Sequence, residues 1–369
     1  MGRAVVHELH RSGRRVLVLD RDAAAARRVG KRYAGGAARV GQAEVGDTGR
    51  LARALEGAAV LVNCAPYRLN LQVMEAALAA GCHYVDLGGL FHMTRRQLRR
   101  SAEFRRAGLL AVLGMGSAPG LTNLFARAAA DPLRRVRAIR IYNGGGSPGP
   151  GPDPLSFGFS PATVLDEVKE RPFVFVRGRF EAAEPLSGSE RIRFELGTQE
   201  VHLCLHSEVA TLPPAYARKG LRQCFFKVSH DPAQLAMLRG FVALGLTDPR
   251  PGPRGVAPRD VLLDLLQARP GSADAATDRD DLLVVVEGAD ERGPVTVRTE
   301  MVARPQRRPP LSGVARDTGF PAAIVAGLIA DGAVTARGAH GPEGCVPVAP
   351  VLAALARRGM RPRTTRRRH

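Results

Sequence analysis

Lysine is nearly absent from this chain. Of 54 basic residues only four are lysines (Lys31, Lys169, Lys219, Lys227), so the net charge of +19 is carried by arginine. A field of that size attracts polyanions. Here, however, the arginines are scattered from end to end through an Ala/Gly/Pro-rich background, as a compositional bias would scatter them, and no nucleic-acid partner is expected. The one dense cluster, residues 357–368, reads as a frayed terminus. Paired cysteines are also missing. Cys64, Cys82, Cys204, Cys224 and Cys345 are far apart with no CxxC, which excludes a disulfide framework and a zinc ribbon and makes reduced, cytoplasmic thiols the expectation. No apolar run approaches the roughly 18 residues of a spanning helix, and the N-terminus has no signal-peptide core, so no membrane partner is expected. The histidines His83, His92, His202, His206 and His230 show no metal-ligand spacing, and no metal is expected.

What is present is the alternation of an α/β protein. At 369 residues and 45% apolar the chain has room for two domains. Residues 1–12 carry Val5, Val6 and Leu9 at helical spacing and stop at Gly13. Residues 15–20 then form a short apolar run ending in Asp20, the pattern of a strand buried on both faces. The alternation continues with helix 22–33, strand 39–45, helix 48–56, strand 59–63, helix 70–80, strand 82–86, helix 94–107 and strand 109–113. This predicts a Rossmann-like, doubly wound parallel sheet over residues 1–118.

Residues 143–154, almost all Gly and Pro, read as a loop. Short alternating segments at 173–176, 191–194 and 201–205 predict a mainly antiparallel sheet in a second, α+β domain over 119–315. Helices 232–244 and 258–267 and strands 282–287 and 295–301 complete it. Helices 320–331 and 348–358 are expected to pack back on the first domain as part of 316–369.

Dinucleotide-binding folds hold the pyrophosphate at a Gly-rich turn and helix N-terminus, and an acid about 20 residues on takes the ribose. Gly2 opens the first helix and Asp20 ends the next strand. The strand and two glycines that precede such a helix are not in the sequence, so the expectation is a missing first strand and an incomplete cofactor site, from a mis-assigned start or a truncation. Asp20 favours NAD, while Arg21 beside it suits the 2′-phosphate of NADP. The alternative role for Asp20 is a helix N-cap. Asp47 and the stretch from Asn63 through Ala65 follow strands at their carboxyl ends, where open α/β sheets bind ligands; the alternative is loop and cap chemistry. Residues 114–123, GMGSAPGLTN, form a small-residue turn into a helix, suited to close approach by a carboxylate-bearing substrate or to a tight domain junction.

The stretches LVNCAPYRLNLQVMEAALAAGCHYVDLGG, GMGSAPGLTNLFA, FSPATVLDEV, EPLSGSERIRF, EVATLP, GLRQCFFKVSHDPAQLAMLRGFVALGL and VARDTGFPAAIVAGLIADGAV with GPEGC resemble the saccharopine dehydrogenase family, and within it the lysine 6-dehydrogenase type. They span essentially the whole chain. The resemblance implies a nicotinamide-dependent enzyme acting at a carbon–nitrogen bond of an amino acid, with a second domain for substrate binding and homodimerisation. It implies that Gly2, Asp20, Asp47, Asn63 and Ala65 line the cofactor and that Gly116, Pro119, Gly120 and Asn123 border the substrate. Amine oxidation needs a base, hydride transfer and groups to hold the substrate carboxylate. Asp86, His92 and Tyr142 are the acid/base candidates, and Arg222 or Lys227 the carboxylate holders. Three functions compete: oxidative deamination of lysine's side-chain amine or a similar one, an NADP-linked reductase forming a secondary amine, and a non-catalytic Rossmann-fold binding protein.

Overall fold

The computed structural model describes residues 1–146, 154–155, 157–253, 255–268 and 278–369. The first domain contains α1 (Gly2–Arg11), β1 (Leu17–Asp20), α2 (Ala23–Tyr33), β2 (Arg39–Gln42), α3 (Thr48–Ala54), β3 (Val60–Asn63), α4 (Asn70–Ala79), β4 (His83–Asp86), α5 (Leu90–Leu98), α6 (Ser101–Arg106) and β5 (Leu110–Val112). Then come α7 (Leu121–Ala130), β6 (Arg135–Gly146), α8 (Pro161–Lys169), β7 (Phe173–Val176), β8 (Arg179–Ala182), β9 (Glu190–Phe194), β10 (Gly197–Leu203), α9 (Glu208–Tyr216) and β11 (Gln223–Val228). The rest is α10 (Pro232–Ala243), α11 (Pro258–Ala268), β12 (Arg279–Asp290), β13 (Gly293–Ala303), α12 (Gly313–Ala330), β14 (Gly338–His340), α13 (Pro342–Cys345), α14 (Val348–Ala356) and β15 (Arg363–Arg368).

Parallel pairing follows from the helical crossovers. β14, β5, β4 and β3 form one four-stranded parallel sheet, and β1 and β2 a separate parallel pair. α12 packs on α1, β3 and β4, and β14 adds to β5, so the return of the chain closes this domain. The expected helix 94–107 is two helices broken at Arg99 and Arg100. The break lets Ser101 Oγ accept the amide of Ala339 (2.9 Å) and seats α6 against β14.

The second sheet has nine strands in the order β15-β13-β12-β6-β11-β10-β9, with β7 on β11 and β8 on β7. Only β6 and β11 run parallel; the other pairs are antiparallel. Alternation along the strands sorts side chains to two faces. Ile139, Ile141, Cys224, Phe226, Leu282 and Val284 join the main core with Leu121, Leu124 and Phe125 of α7 and Phe320 of α12. Tyr142, Phe225, Leu283, Phe194 and Val201 form a separate cluster on the far face.

Two expectations fail here. The loop over 143–154 begins later than its composition predicts, because β6 continues through Gly144 and Gly145 to Gly146 by pairing with β12; residues 147–153 lie outside the described residues. The arginine tail is not frayed. β15 pairs along β13 from Val295–Arg368 to Glu300–Arg363, and Arg366 and Arg368 bind Asp290.

Candidate active site

In a parallel sheet every strand points its carboxyl end the same way, so the segments after β3, β4 and β5 share one edge. Along that edge lie Asn63, Ala65, Asp86 and the turn 114–120, while Asp20 and Asp47 follow the strands of the separate β1–β2 pair. α1 starts at that edge too: a Cβ on Gly2 would lie 3.6 Å from Cys64 Cβ, just past β3. The first turn of α1 has no side-chain cap and no acidic residue, leaving its leading N–H groups available to an anion. Asp20 is exposed, and among the described residues its carboxylate accepts only the amide of Asp22, 2.9 Å away through Oδ1. Asp22, and not Asp20, caps α2, accepting from Ala24 at 2.7 Å. An uncapped helix end with a free carboxylate about 20 residues on fits a dinucleotide, with pyrophosphate at Gly2 and ribose at Asp20. Arg21 is exposed next to it, with its carbonyl accepting from Gln42. Asp47 caps α3 through Arg50 N at 2.9 Å. Asn63 is internal, donating to Asn70 Oδ1 and Tyr84 Oη and accepting from Ala65 N, which fixes the backbone of the loop after β3.

Asp86 sits at the end of β4, 1% exposed. Its Oδ2 accepts from Gln97 (2.6 Å), Tyr84 (2.9 Å) and Asn70 (3.2 Å), and its Oδ1 from the amides of Gly114 (2.6 Å) and Gly88 (3.0 Å). Burial raises its pKa, opposed by those donors. With five donors around it, this carboxylate holds the loops after β4 and β5 together and has no free lone pair for a substrate proton. The geometry therefore corrects its assignment from base to positioning residue.

The turn 114–120 is wound too tightly for a side chain at Gly114 or Gly120. Gly120 has φ +129°, and a Cβ there would meet Gly116 O at 2.2 Å; a Cβ on Gly114 would meet Pro119 at 2.6 Å. Asn123 Oδ1 accepts Gly120 N, while its Nδ2 donates to Glu343 (2.7 Å) and Thr211 (3.3 Å). Thus Asn123 shapes the turn from behind, and the bond from Gly116 N to Pro119 O (2.8 Å) closes it, so Gly116, Pro119 and Gly120 pack together at the junction of the two domains.

The other four candidates do not join this site. His92 is exposed and held edge-on to Phe91 and Phe173 without a hydrogen bond. Tyr142 and Lys227 point to the far face of the second sheet, because their strand positions alternate with those of the core-facing Ile141 and Phe226. There Lys227 binds Glu190 at 2.6 Å and lies over Phe225. Arg222 precedes β11 at the end remote from the turn: Gln223 pairs with Ala138, whereas Val228 pairs with Asn143, five residues or roughly 16 Å further along.

In their place the fold assembles groups that sequence spacing does not connect. His206 and Ser207 follow β10, and Glu208 opens α9. Ser207 Oγ accepts the amide of Gly89 (3.3 Å), which brings this segment to the end of β4. His206 stacks on Phe226, 3.8 Å between centroids, and its Nδ1 meets Glu208 Oε2. Glu208 Oε1 accepts Thr122 Oγ1 at 2.8 Å, one residue beyond the start of α7. Glu167 of α8 completes the cluster. It is 6% exposed and among the described residues its carboxyl has no hydrogen bond, and burial pushes its pKa up to about 7, with His206 opposing and Asp166 and Glu208 adding to the shift. For His206, burial opposes the charge, but Glu208 and Glu167 outweigh it and its pKa is raised. On the other side of α8, Asp166 accepts from Tyr67 (2.6 Å) and Arg68 (2.8 Å) of the loop after β3 and pairs with Arg259 (2.9 Å). That clamps Glu167 over the carboxyl edge of the first sheet. The one available signal was that Glu167 and Glu208 lie in FSPATVLDEV and EVATLP, two of the stretches that carry the resemblance; His206 and Ser207 lie in neither.

Residues 1–112 match the saccharopine dehydrogenase NADP binding domain, and residues 116–360 match the saccharopine dehydrogenase C-terminal domain. The chain belongs to the saccharopine dehydrogenase family. The apo structure of saccharopine dehydrogenase (L-Glu forming) from Saccharomyces cerevisiae superposes with a TM-score of 0.73, covering 99% of this chain and 98% of that one at 16% identity, which establishes the shared fold. Carboxyaminopropylagmatine dehydrogenase from Synechocystis sp. is 27% identical over 201 residues, 52% of this chain and 49% of that protein, so the match spans about half the length of that curated relative. The cofactor class of the family is nicotinamide dinucleotide, NAD or NADP.

Proposed function

We propose that this protein is an NAD(P)-dependent oxidoreductase acting at a carbon–nitrogen bond of an amino acid, oxidising the side-chain amine of lysine or a similar amino acid. The observation that carries the reading is the placement of the unbonded Glu167, with a pKa of about 7, beside His206–Glu208–Thr122 at the turn that links the two domains. A carboxyl poised near neutral pH exchanges protons with an amine at little cost. Glu167 takes the ammonium proton, and the His206–Glu208 pair, held by Thr122, keeps charge and orientation fixed as it does so. The bound nicotinamide would accept the hydride from the adjacent carbon. Homodimerisation through the second domain and a cytoplasmic setting belong to the same proposal.

A second reading is the NADP-linked formation of a secondary amine. It is favoured by the name of the Synechocystis relative, which places a carboxyaminopropyl group on agmatine. Nicotinamide absorbance distinguishes the two. Reduction of NAD on addition of L-lysine supports deamination, whereas oxidation of NADPH that requires both an amino acid and an aldehyde supports the second. In either direction Glu167→Gln is expected to lower kcat by about 100-fold and to remove the ionisation near pH 7 from kcat/KM. Unchanged pH profiles in that variant would reject Glu167 as the proton carrier, and no turnover with either substrate set would reject both readings.

A further inference from the structure

At the end of the second sheet remote from the interdomain turn, three segments distant in sequence bring four arginines around one cavity of ≈ 260 Å³: Arg137 and Arg140 of β6, Arg177 of the β7–β8 turn, and Arg222 before β11. Strand register makes the meeting place. Gln223 pairs with both Ala138 and Val176, so Arg222, Arg137 and Arg177 stand side by side at strand ends.

The charges there are not balanced. Arg137 and Arg140 share a single carboxylate, Glu287, the latter at 2.6 Å, and Arg140 Nε also donates to Gln223 Oε1 at 2.9 Å. Among the described residues neither Arg177 nor Arg222 has a side-chain hydrogen bond or an ion pair. Four guanidinium groups therefore face one carboxylate. Arg177 adds an independent observation. It is the first of two central residues in a hairpin turn closed by Val176 and Arg179, with φ +53° followed by Gly178 at +87°. A turn of that kind prefers Asn, Asp or Gly at both positions, because any Cβ there crowds the following carbonyl oxygen. A long cation held in a strained conformation at the rim of a cation-lined cavity points to use of its charge.

We propose that this cavity is a binding site for a small phosphate-bearing metabolite, separate from the interdomain site. A carboxylate satisfies one or two arginines in a single plane. A phosphate group, with nearly two charges and three terminal oxygens, matches several guanidinium groups brought to one cavity by three segments. The volume admits a compact phosphate ester and is below the range usual for drug-sized ligands. The proposal is independent of which amine the enzyme oxidises.

The test uses inorganic phosphate on the full chain, read by calorimetry and by melting temperature, with acetate and chloride at matched ionic strength. Saturable binding of phosphate at this site is expected, with little effect of the other two anions. Arg222→Gln should weaken it at least tenfold. Arg177→Gly should melt no lower than the wild type without phosphate, because glycine suits the turn, and should lose the phosphate response. Arg105→Gln, an equal charge loss on the exposed face of α6, should respond as the wild type does. A response that survives in Arg177→Gly and Arg222→Gln would place phosphate elsewhere, such as the N-terminus of α1, and overturn the proposal. Equal effects of acetate and chloride would reduce it to charge screening and overturn it equally.

Discussion

A carboxylate's role is decided by what its oxygens already hold, and Asp86 and Glu167 lie at opposite extremes. Five donors converge on Asp86, so Asp86→Asn turns one acceptor into a donor aimed at Tyr84, Gln97 and Asn70. The expected cost is about 3 kcal/mol, seen as a lower urea midpoint, because a buried network loses a charged acceptor. A loss within a few tenths of a kcal/mol would show that the network is not load-sharing. Glu167 has no such donors, and burial lifts its pKa from 4.5 to about 7. The folded chain therefore binds a proton that the unfolded chain releases, and stability falls as pH rises from about 4.5 to about 7, by up to about 3 kcal/mol. In Glu167→Gln that part of the pH dependence should vanish, and denaturation at pH 5 and pH 8 checks it. The sequence shows each of these residues only as an acid near a helix or strand end. Which one is saturated depends on Gln97, Gly114 and His206, whose proximity is tertiary.

At the scale of elements, the first domain was readable because most of its strands are short apolar runs that alternate with helices of about ten residues. Predicted strands at 59–63 and 82–86 and the helix at 70–80 differ from β3, β4 and α4 by one residue at an end. Where tertiary pairing overrides composition, reading failed. β6 carries three glycines at its end and persists because β12 supplies a partner for each, and α12 runs through Pro321, whose ring would be expected to start a helix near 320. The tail failed for the same reason: Arg363, Arg366, Arg367 and Arg368 have no apolar alternation, yet β13 offers an open edge. Arginines on an edge strand also deter further strand addition. Deleting residues 363–368 exposes the edge of β13, with its Val295 and Val297, and should move the protein toward aggregates in size-exclusion chromatography. A variant that elutes unchanged would mean that β15 does not protect that edge. Helix caps give a smaller effect: Asp47→Ala removes the acceptor for Arg50 N and should cost about 1 kcal/mol.

Across the whole molecule, two buried carboxyl groups meet where the domains join. Asp280 lies on β12 of the second sheet, and Asp317 on α12, the helix that closes the first domain. Asp317 is 0% exposed, and among the described residues its oxygens have no hydrogen-bond partner other than the carboxyl of Asp280. Its carboxyl meets that of Asp280, which in turn accepts Asn143 Nδ2 at 2.7 Å, while Asp278 and Arg316 are the other charges nearby. Two acceptors in contact are held together only by a shared proton. Burial, and then Asp280, raise the pKa of Asp317 well above its ordinary value. The sign follows from linkage: the folded state binds the extra proton, so stability is greatest in acid and declines as pH rises toward the raised value. Asp317→Asn supplies a permanent N–H in the same shape. It should match the wild type near pH 5 and exceed it by about 1–2 kcal/mol at pH 8, read as urea midpoints. A variant less stable at both pH values would mean that the pair is held by something other than a proton, and that the domains meet here through packing of α12 alone.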